Sequence, residues 1–290
     1  MNLSRRGLFA GTGLAALLAG CGTTEATGTT GSTRSPSSSP AATSRRFRYG
    51  KGEEQYADLR MPSGSPLGTV VLLHGGYWLP QYPAAQMIPM AKTFTTLGFA
   101  TWNVEYRRSG VTGSYRETLT DVAAAVDLLA GSGVPEGLDR NVVLLGHSAG
   151  GHLAVWAASR RDSTPGGASA VEPVGAISLS GVLDLTSAAL DPRSSGPVQA
   201  FMGGPPQEHP ERYAEADPAL LAPASCPVWA VHAESDGVVP IEQSSGYVEK
   251  ATAAGGTATF STVPGDHSSI IDPGADSFPD VRRLVVDAVP

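Results

Sequence analysis

The chain has 290 residues, with 27 acidic side chains against 20 lysines and arginines and a formal net charge of -7. This length allows one large domain or two small ones and excludes a peptide-sized scaffold. Because the chain lacks the basic excess that binding to a phosphate backbone uses, no nucleic acid is expected as a partner. Its 2 cysteines are too few for a disulfide framework or a cysteine-rich zinc site.

The first 20 residues have the pattern of an export signal. Arg5 and Arg6 precede an uncharged, mostly apolar run at 8–20 that is too short to span a bilayer. This run ends at Cys21 in a sequence that resembles a bacterial lipobox, and residues 4–9 resemble a twin-arginine motif. These resemblances imply cleavage before Cys21 and attachment of lipid to its sulfur. We therefore expect an exported, extracytoplasmic lipoprotein held at the cell membrane by this anchor.

A flexible linker is expected behind the anchor. Residues 22–44 consist of Thr, Ser, Gly, Ala and Pro with one glutamate and one arginine. Such a segment buries too little apolar surface to offset the entropy lost on ordering. The predicted organisation is a signal peptide at 1–20, a lipid-anchored linker at 21–44 and a folded domain at 45–290.

Within the folded domain, short aliphatic and β-branched runs alternate with helical patterns, which predicts one doubly wound, mostly parallel α/β sheet. Buried parallel strands have this composition because helices cover both faces of their sheet. Residues 182–225 interrupt the alternation with Pro-rich sequence and short helical pieces, and we expect a small cap there. The predicted strands are 47–49, 55–60, 69–73, 100–106, 141–145, 174–179, 228–232 and 258–263, and the predicted helices are 84–97, 116–129, 151–160, 241–254 and 279–289.

The segment Gly146-His147-Ser148-Ala149-Gly150 carries the strongest chemical signal. It directly follows one predicted strand and directly precedes a helical pattern. Small residues around a serine in this setting permit a strained turn that lifts the hydroxyl out of the sheet. Ser148 is therefore the candidate nucleophile.

A neutral serine hydroxyl needs an adjacent imidazole, which in turn is oriented by a carboxylate. His267 comes immediately after the last predicted strand and is the candidate base, and Asp236 comes just past the 228–232 strand and is the candidate acid. The three groups thus follow three strand ends. The alternative acids are Glu234, Asp184 and Asp266.

Acyl transfer also needs hydrogen-bond donors for the oxyanion that forms at the carbonyl oxygen. The glycine-rich segment 74–78 follows the 69–73 strand, and we assign the donors to the backbone N–H groups of Gly76, Tyr77 and Ala149. Trp78 is expected to wall the substrate pocket. No metal-ligand spacing and no nucleotide-binding loop occurs in the sequence, so neither a metal nor another cofactor is expected.

Residues 45–290 resemble the α/β-hydrolase superfamily, in the branch of esterases and lipases with an HGG loop that includes hormone-sensitive-lipase-like, feruloyl-esterase-like and kynurenine-formamidase-like members. The resemblance implies an α/β-hydrolase fold and the triad Ser148, Asp236 and His267. It is carried by 74–78 (HGGYW), 104–107 (VEYR), 146–154 (GHSAGGHLA) and 180–185 (SGVLDL), which look most like the kynurenine formamidase group, and by 236–240 (DGVVP), which resembles the acid loop of prolyl-oligopeptidase-like hydrolases.

These features predict a serine hydrolase that cleaves small-molecule carboxylic esters through an acyl-enzyme. The alternative is an arylformamidase or another amidase that uses the same triad. A third hypothesis is an exported binding module that no longer catalyses, although such a module would typically lose its serine or its histidine.

Overall fold

The computed structural model describes residues 44–110 and 114–290, and within them eight strands form one sheet. The strands are β1 (Arg45–Arg48), β2 (Tyr56–Arg60), β3 (Thr69–Leu73), β4 (Ala100–Glu105), β5 (Val142–His147), β6 (Pro173–Leu179), β7 (Val228–Ala233) and β8 (Ala258–Val263). Their order across the sheet is β1-β2-β4-β3-β5-β6-β7-β8. The pairs β1–β2 and β2–β4 are antiparallel and the others are parallel, which confirms the predicted mostly parallel sheet.

The predicted signal peptide, the lipidation site Cys21 and residues 21–43 of the predicted linker lie outside the described residues. The described residues fall within one compact unit, Ala41–Pro290. In this unit no described helix combines the length and the apolar character that crossing a membrane requires.

The helices lie close to their predicted positions, and additional short helices form the cap. They are α1 (Ile88–Thr96), α2 (Tyr115–Asp127), α3 (Ala149–Ala158), α4 (Leu185–Ala188), α5 (Ser195–Met202), α6 (Pro210–Ala216), α7 (Pro218–Leu221), α8 (Glu242–Ala253) and α9 (Phe278–Ala288). Two boundaries differ on either side of the serine turn, because β5 continues through His147 and α3 begins at Ala149. The turn at Ser148 is therefore tighter than the predicted boundaries implied.

Helices cover the two faces of the sheet with separate apolar cores. Phe94 of α1 and Val281 of α9 are buried in one core, whereas Leu119 of α2, Leu153 of α3 and Tyr247 of α8 are buried in the other. Full burial of side chains of this size contributes about 1.5–3 kcal/mol each. Both faces of the central strands are consequently covered, and their carboxyl ends are left at one edge for loops that carry polar side chains.

The cap consists of α4 to α7 and packs on α3. Nε1 of Trp156 donates to the backbone oxygen of Glu215 at 2.9 Å, and Nε2 of His152 donates to the backbone oxygen of Ala216 at 2.9 Å. Every residue of α3 is buried. The predicted cap is thus present, fixed to the helix that follows Ser148.

Candidate active site

Ser148 sits in a strained turn between β5 and α3. Its backbone has φ 54° and ψ -120°, a conformation that costs a residue other than glycine about 1–3 kcal/mol. The backbone N–H of Ser148 donates a 2.9 Å hydrogen bond to the backbone oxygen of Leu179, and this bond holds the turn. A Cβ atom at Gly146 would lie 1.9 Å from the oxygen of Gly150, and one at Gly150 would lie 2.0 Å from the oxygen of Leu73. Both flanking positions therefore require glycine.

Asp236 and His267 meet through a short hydrogen bond between the loops after β7 and β8. Nδ1 of His267 donates to Oδ2 of Asp236 at 2.7 Å. The other carboxylate oxygen accepts 2.9 Å hydrogen bonds from the backbone N–H groups of Val238 and Val239. The side chain of Asp236 is 1% exposed and that of His267 is 14% exposed. The carboxylate is thus fixed from both sides, and the imidazole retains access to solvent.

The hydrogen bonds to Asp236 outweigh its desolvation. Burial acts to raise the pKa of this carboxyl, but the hydrogen bonds from His267 and from the backbone of Val239 and Val238 hold the pKa well below its usual range. Asp236 is therefore ionised at neutral pH. An ionised acceptor at Nδ1 leaves Nε2 of the imidazole to exchange a proton with a serine hydroxyl.

The histidine that precedes Ser148 ties the His267 loop to the turn. Nε2 of His147 donates to the backbone oxygen of His267 at 2.7 Å, and the two rings lie 4.6 Å apart between centroids. Burial, followed by the charge of nearby His267, lowers the pKa of His147 to about 3. His147 is consequently neutral, with its proton on Nε2. The predicted nucleophile and the predicted base thus lie on directly connected segments.

The alternative acids have other partners. Asp184 caps the first turn of α4 with one oxygen and pairs with Lys250 through the other. The carboxylate of Asp266 accepts hydrogen bonds from backbone N–H groups of its own loop, and Glu234 is exposed. Within the described residues, His267 donates a hydrogen bond to the carboxylate of Asp236 and to none of these three alternative acids.

The glycine-rich loop after β3 runs directly beside the serine. A Cβ atom at Gly75 would lie 3.0 Å from Cβ of Ser148 and 2.8 Å from Nδ1 of His147. The next three residues, 76–78, have positive φ values of 112°, 55° and 55°. Within the described ranges, no acceptor is recorded for the backbone N–H groups of Gly76, Tyr77 or Ala149. These three amides are the predicted oxyanion donors.

The buried side chain of His74 holds this loop through hydrogen bonds. Its Nδ1 donates to the oxygen of Gly75 at 2.8 Å, and its Nε2 lies 3.1 Å from Oε1 of Glu105. The ring of Tyr106 stacks on the imidazole at 4.2 Å, and its hydroxyl donates to the backbone oxygen of His74 at 2.7 Å. Burial acts to raise the pKa of Glu105, but hydrogen bonding to and the charge of His74 lower it below its usual value. A buried polar network therefore supports the loop.

Trp78 joins the glycine-rich loop to the cap and lines a small apolar pocket. Its ring stacks on Phe201 of α5 at 4.4 Å and is 1% exposed. The free space in the pocket is about 10 Å³, roughly the room for one water molecule. The pocket is lined by Tyr77, Trp78, Val182, Ser194, Pro197, Val198, Val238, Val239, Pro240 and Gln243. It therefore lies between the predicted oxyanion loop, the cap and the loop that carries Asp236.

Two buried histidines at this edge were not assigned a role from the sequence. His147 occupies the variable position of the serine motif, where nothing in the pattern indicates its bond to His267. His232 precedes Asp236 by four residues and lies fully buried in β7. No group of three or more His, Cys, Asp or Glu side chains that could hold a metal is found in the described part of the chain.

Solved structures share this fold. A truncated carbohydrate esterase from gut microbiota has a TM-score of 0.74 and 19% identity, covering 88% of this chain and 99% of that one. Esterase B from Lactobacillus rhamnosis, inhibited by a tributyrin phosphonate, has a TM-score of 0.71 and 18% identity, covering 86% and 87%. The propionate-bound esterase Est2 from Thermogutta terrifontis has a TM-score of 0.63 and 20% identity, covering 86% and 92%. The chain therefore has the α/β-hydrolase fold.

The comparison with curated proteins gave no match. The family model BD-FAE matches residues 58–250, which include the serine turn, the glycine-rich loop and Asp236. Because this match spans about two thirds of the 290 residues, the chain belongs to the BD-FAE family.

Proposed function

We propose that the protein is a serine hydrolase that cleaves carboxylic esters, with Ser148 as nucleophile, His267 as general base and Asp236 as the acid that orients it. The observation that carries this proposal is the 2.7 Å hydrogen bond from Nδ1 of His267 to Asp236, made by a loop that is itself bonded to His147 next to the serine. A strained serine turn and a connected imidazole–carboxylate pair are the components of acyl transfer.

In the proposed reaction, the oxygen of Ser148 attacks the ester carbonyl while Nε2 of His267 takes the hydroxyl proton. The negative charge on the carbonyl oxygen is stabilised by the backbone N–H groups of Gly76, Tyr77 and Ala149. The imidazolium then protonates the leaving alcohol as the carbon–oxygen bond breaks. Water attacks the acyl-enzyme with His267 again as base, and the acid and free serine are released.

The comparisons support an ester as the substrate. The structural neighbours are a carbohydrate esterase, an esterase inhibited by a tributyrin phosphonate and an esterase with bound propionate. A formamide is the second candidate substrate for the same residues, because the segment 74–78 and the segment 146–154 resemble the kynurenine formamidase group.

Steady-state hydrolysis of p-nitrophenyl acetate and N-formylkynurenine tests both substrates. We expect higher kcat/KM for the ester, and a loss of at least about 10³-fold in Ser148→Ala. The control is Ser268→Ala, an exposed serine beside the base, which should retain full turnover. Undiminished turnover in Ser148→Ala would refute the proposal, whereas a clear preference for N-formylkynurenine would favour the arylformamidase.

We also propose that the chain is exported and anchored to the membrane through lipid on Cys21, because the lipobox-like sequence precedes a linker that lacks large apolar residues. Incorporation of labelled palmitate into the full chain expressed in a bacterium, with Cys21→Ser as control, tests this. Label in the parent chain and none in the variant is the expected result. Equal labelling of both proteins would exclude Cys21 as the site.

A further inference from the structure

A second histidine holds the loop that carries Asp236. His232 lies in β7 and is fully buried. Its Nε2 is 3.0 Å from the backbone oxygen of Val239 and 3.7 Å from Oδ2 of Asp236, and its Nδ1 is 2.8 Å from Oγ of Ser244 in the first turn of α8. Both ring nitrogens are therefore occupied by groups outside β7.

The partners determine where the proton of His232 lies. A carbonyl oxygen can only accept a hydrogen bond, so Nε2 carries the proton that bonds to Val239. Burial lowers the pKa of His232 and favours the neutral ring. Nδ1 is then an acceptor, and the hydroxyl of Ser244 donates to it. Ser244 is fully buried, and its hydroxyl stabilises the tautomer of His232 that carries the proton on Nε2 and donates it to Val239.

The peptide groups of Val239 connect His232 to Asp236. The oxygen of Val239 accepts from His232, while its N–H donates to Oδ1 of Asp236 at 2.9 Å. The carboxylate is thereby rotated so that its second oxygen reaches Nδ1 of His267. A shift at Val239 would move this carboxylate relative to the imidazole, and reacting groups misplaced by about 1 Å cost roughly 100-fold in rate.

We propose that His232, with its tautomer fixed by Ser244, is a positioning residue that holds the acid loop so that Asp236 faces His267. This inference rests on the proposed triad. His232 does not itself take part in proton transfer, because it is fully buried and its only proton is bonded to Val239. Its effect on turnover is transmitted through the carboxylate.

Steady-state kinetics of His232→Leu, His232→Gln and Ser244→Ala on p-nitrophenyl acetate test the inference. Leucine removes the donor, and we expect kcat to fall by about 10- to 100-fold with KM changed less than about twofold. Glutamine can place an amide N–H near the position of Nε2, so it should recover most of the loss. Ser244→Ala removes the hydroxyl that donates to Nδ1 of His232, so the tautomer of this ring is no longer fixed. We expect a loss of kcat between those of the other two variants.

The Asp236→Asn background distinguishes positioning from general destabilisation. If His232 acts through the carboxylate, adding His232→Leu to Asp236→Asn should lower kcat no further, because groups that act as a unit are not additive. Ser244→Ala provides the same comparison with a smaller change if His232→Leu fails to fold. A full multiplicative loss in the double variant would overturn the inference, as would unchanged kcat in Ser244→Ala and in folded His232→Leu.

Failure of this inference can be separated from failure of the proposed function. Loss of turnover in Ser148→Ala together with unchanged kcat in the His232 and Ser244 variants would reject only the positioning role. Unchanged turnover in Ser148→Ala would reject the triad on which the inference rests.

Discussion

Nε2 of His147 donates a 2.7 Å hydrogen bond to the backbone oxygen of His267, so the residue before the candidate nucleophile holds the loop of the candidate base. Because burial keeps His147 neutral, this bond does not depend on pH near neutrality. The two segments therefore behave as one unit although 120 positions separate the residues.

Replacing His147 should lower turnover through misplacement of His267. We expect kcat to fall by about 10- to 100-fold in His147→Leu, which has no donor, and by less in His147→Gln, whose amide can reach the same carbonyl. Steady-state kinetics with unfolding temperatures measure the effect. A folded His147→Leu with the kcat of the parent would show that the hydrogen bond has no role in turnover.

Replacing Asp236 should lower turnover far more than it lowers stability at neutral pH. Asparagine keeps the shape but favours the wrong imidazole tautomer, so Asp236→Asn should lose up to about 10⁴-fold in kcat, as in other serine triads. The matched control is Asp184→Asn, which keeps an oxygen that can cap α4 and loses the ion pair with the half-exposed Lys250, so its kcat and stability should change little. If Asp184→Asn lost as much kcat as Asp236→Asn, Asp184 would again be a candidate for the acid.

The alternation of apolar runs and helical patterns was enough to predict the sheet, because buried parallel strands must be apolar on both faces. The predicted boundaries were wrong where pairing between distant strands decides: β5 continues through His147 because Gly146 and His147 pair with Ser178 and Leu179 of β6. Residue order and strand ends predicted the partners Asp236 and His267. The hydrogen bonds of His147 and His232 could not be predicted, since they are made to backbone carbonyls that lie close only after folding.

The close approach at Gly75 provides a test of the oxyanion loop. In Gly75→Ala the new methyl would lie 3.0 Å from Cβ of Ser148 and push the loop away from the serine. We expect a loss of about 10²- to 10³-fold in kcat, comparable to the loss of one oxyanion donor. Gly246→Ala on α8 is the control, because nothing lies within 4 Å of its added Cβ, and its kcat should be unchanged. Full activity in Gly75→Ala would argue against donors in this loop.

The buried carboxyl of Asp217 in the cap should make stability depend on pH. Burial, together with the charge of Asp184, raises the pKa of Asp217 to about 6. The folded state then binds the proton more tightly than the unfolded state, so this stabilisation is complete below about pH 4 and is lost as pH rises through 6. The free energy of unfolding of the parent minus that of Asp217→Asn should fall by about 3 kcal/mol between pH 3.5 and 7. Urea unfolding across this range measures the difference, and an increase with pH would contradict the assignment.

The central claim is that Ser148 becomes acylated with help from His267, and covalent labelling tests it most directly. Mass spectrometry of the protein after reaction with a fluorophosphonate should show one adduct on the peptide that contains Ser148. No adduct should form in Ser148→Ala, and labelling should be much slower in His267→Ala. An adduct on another residue, or equal labelling of Ser148→Ala, would contradict the account.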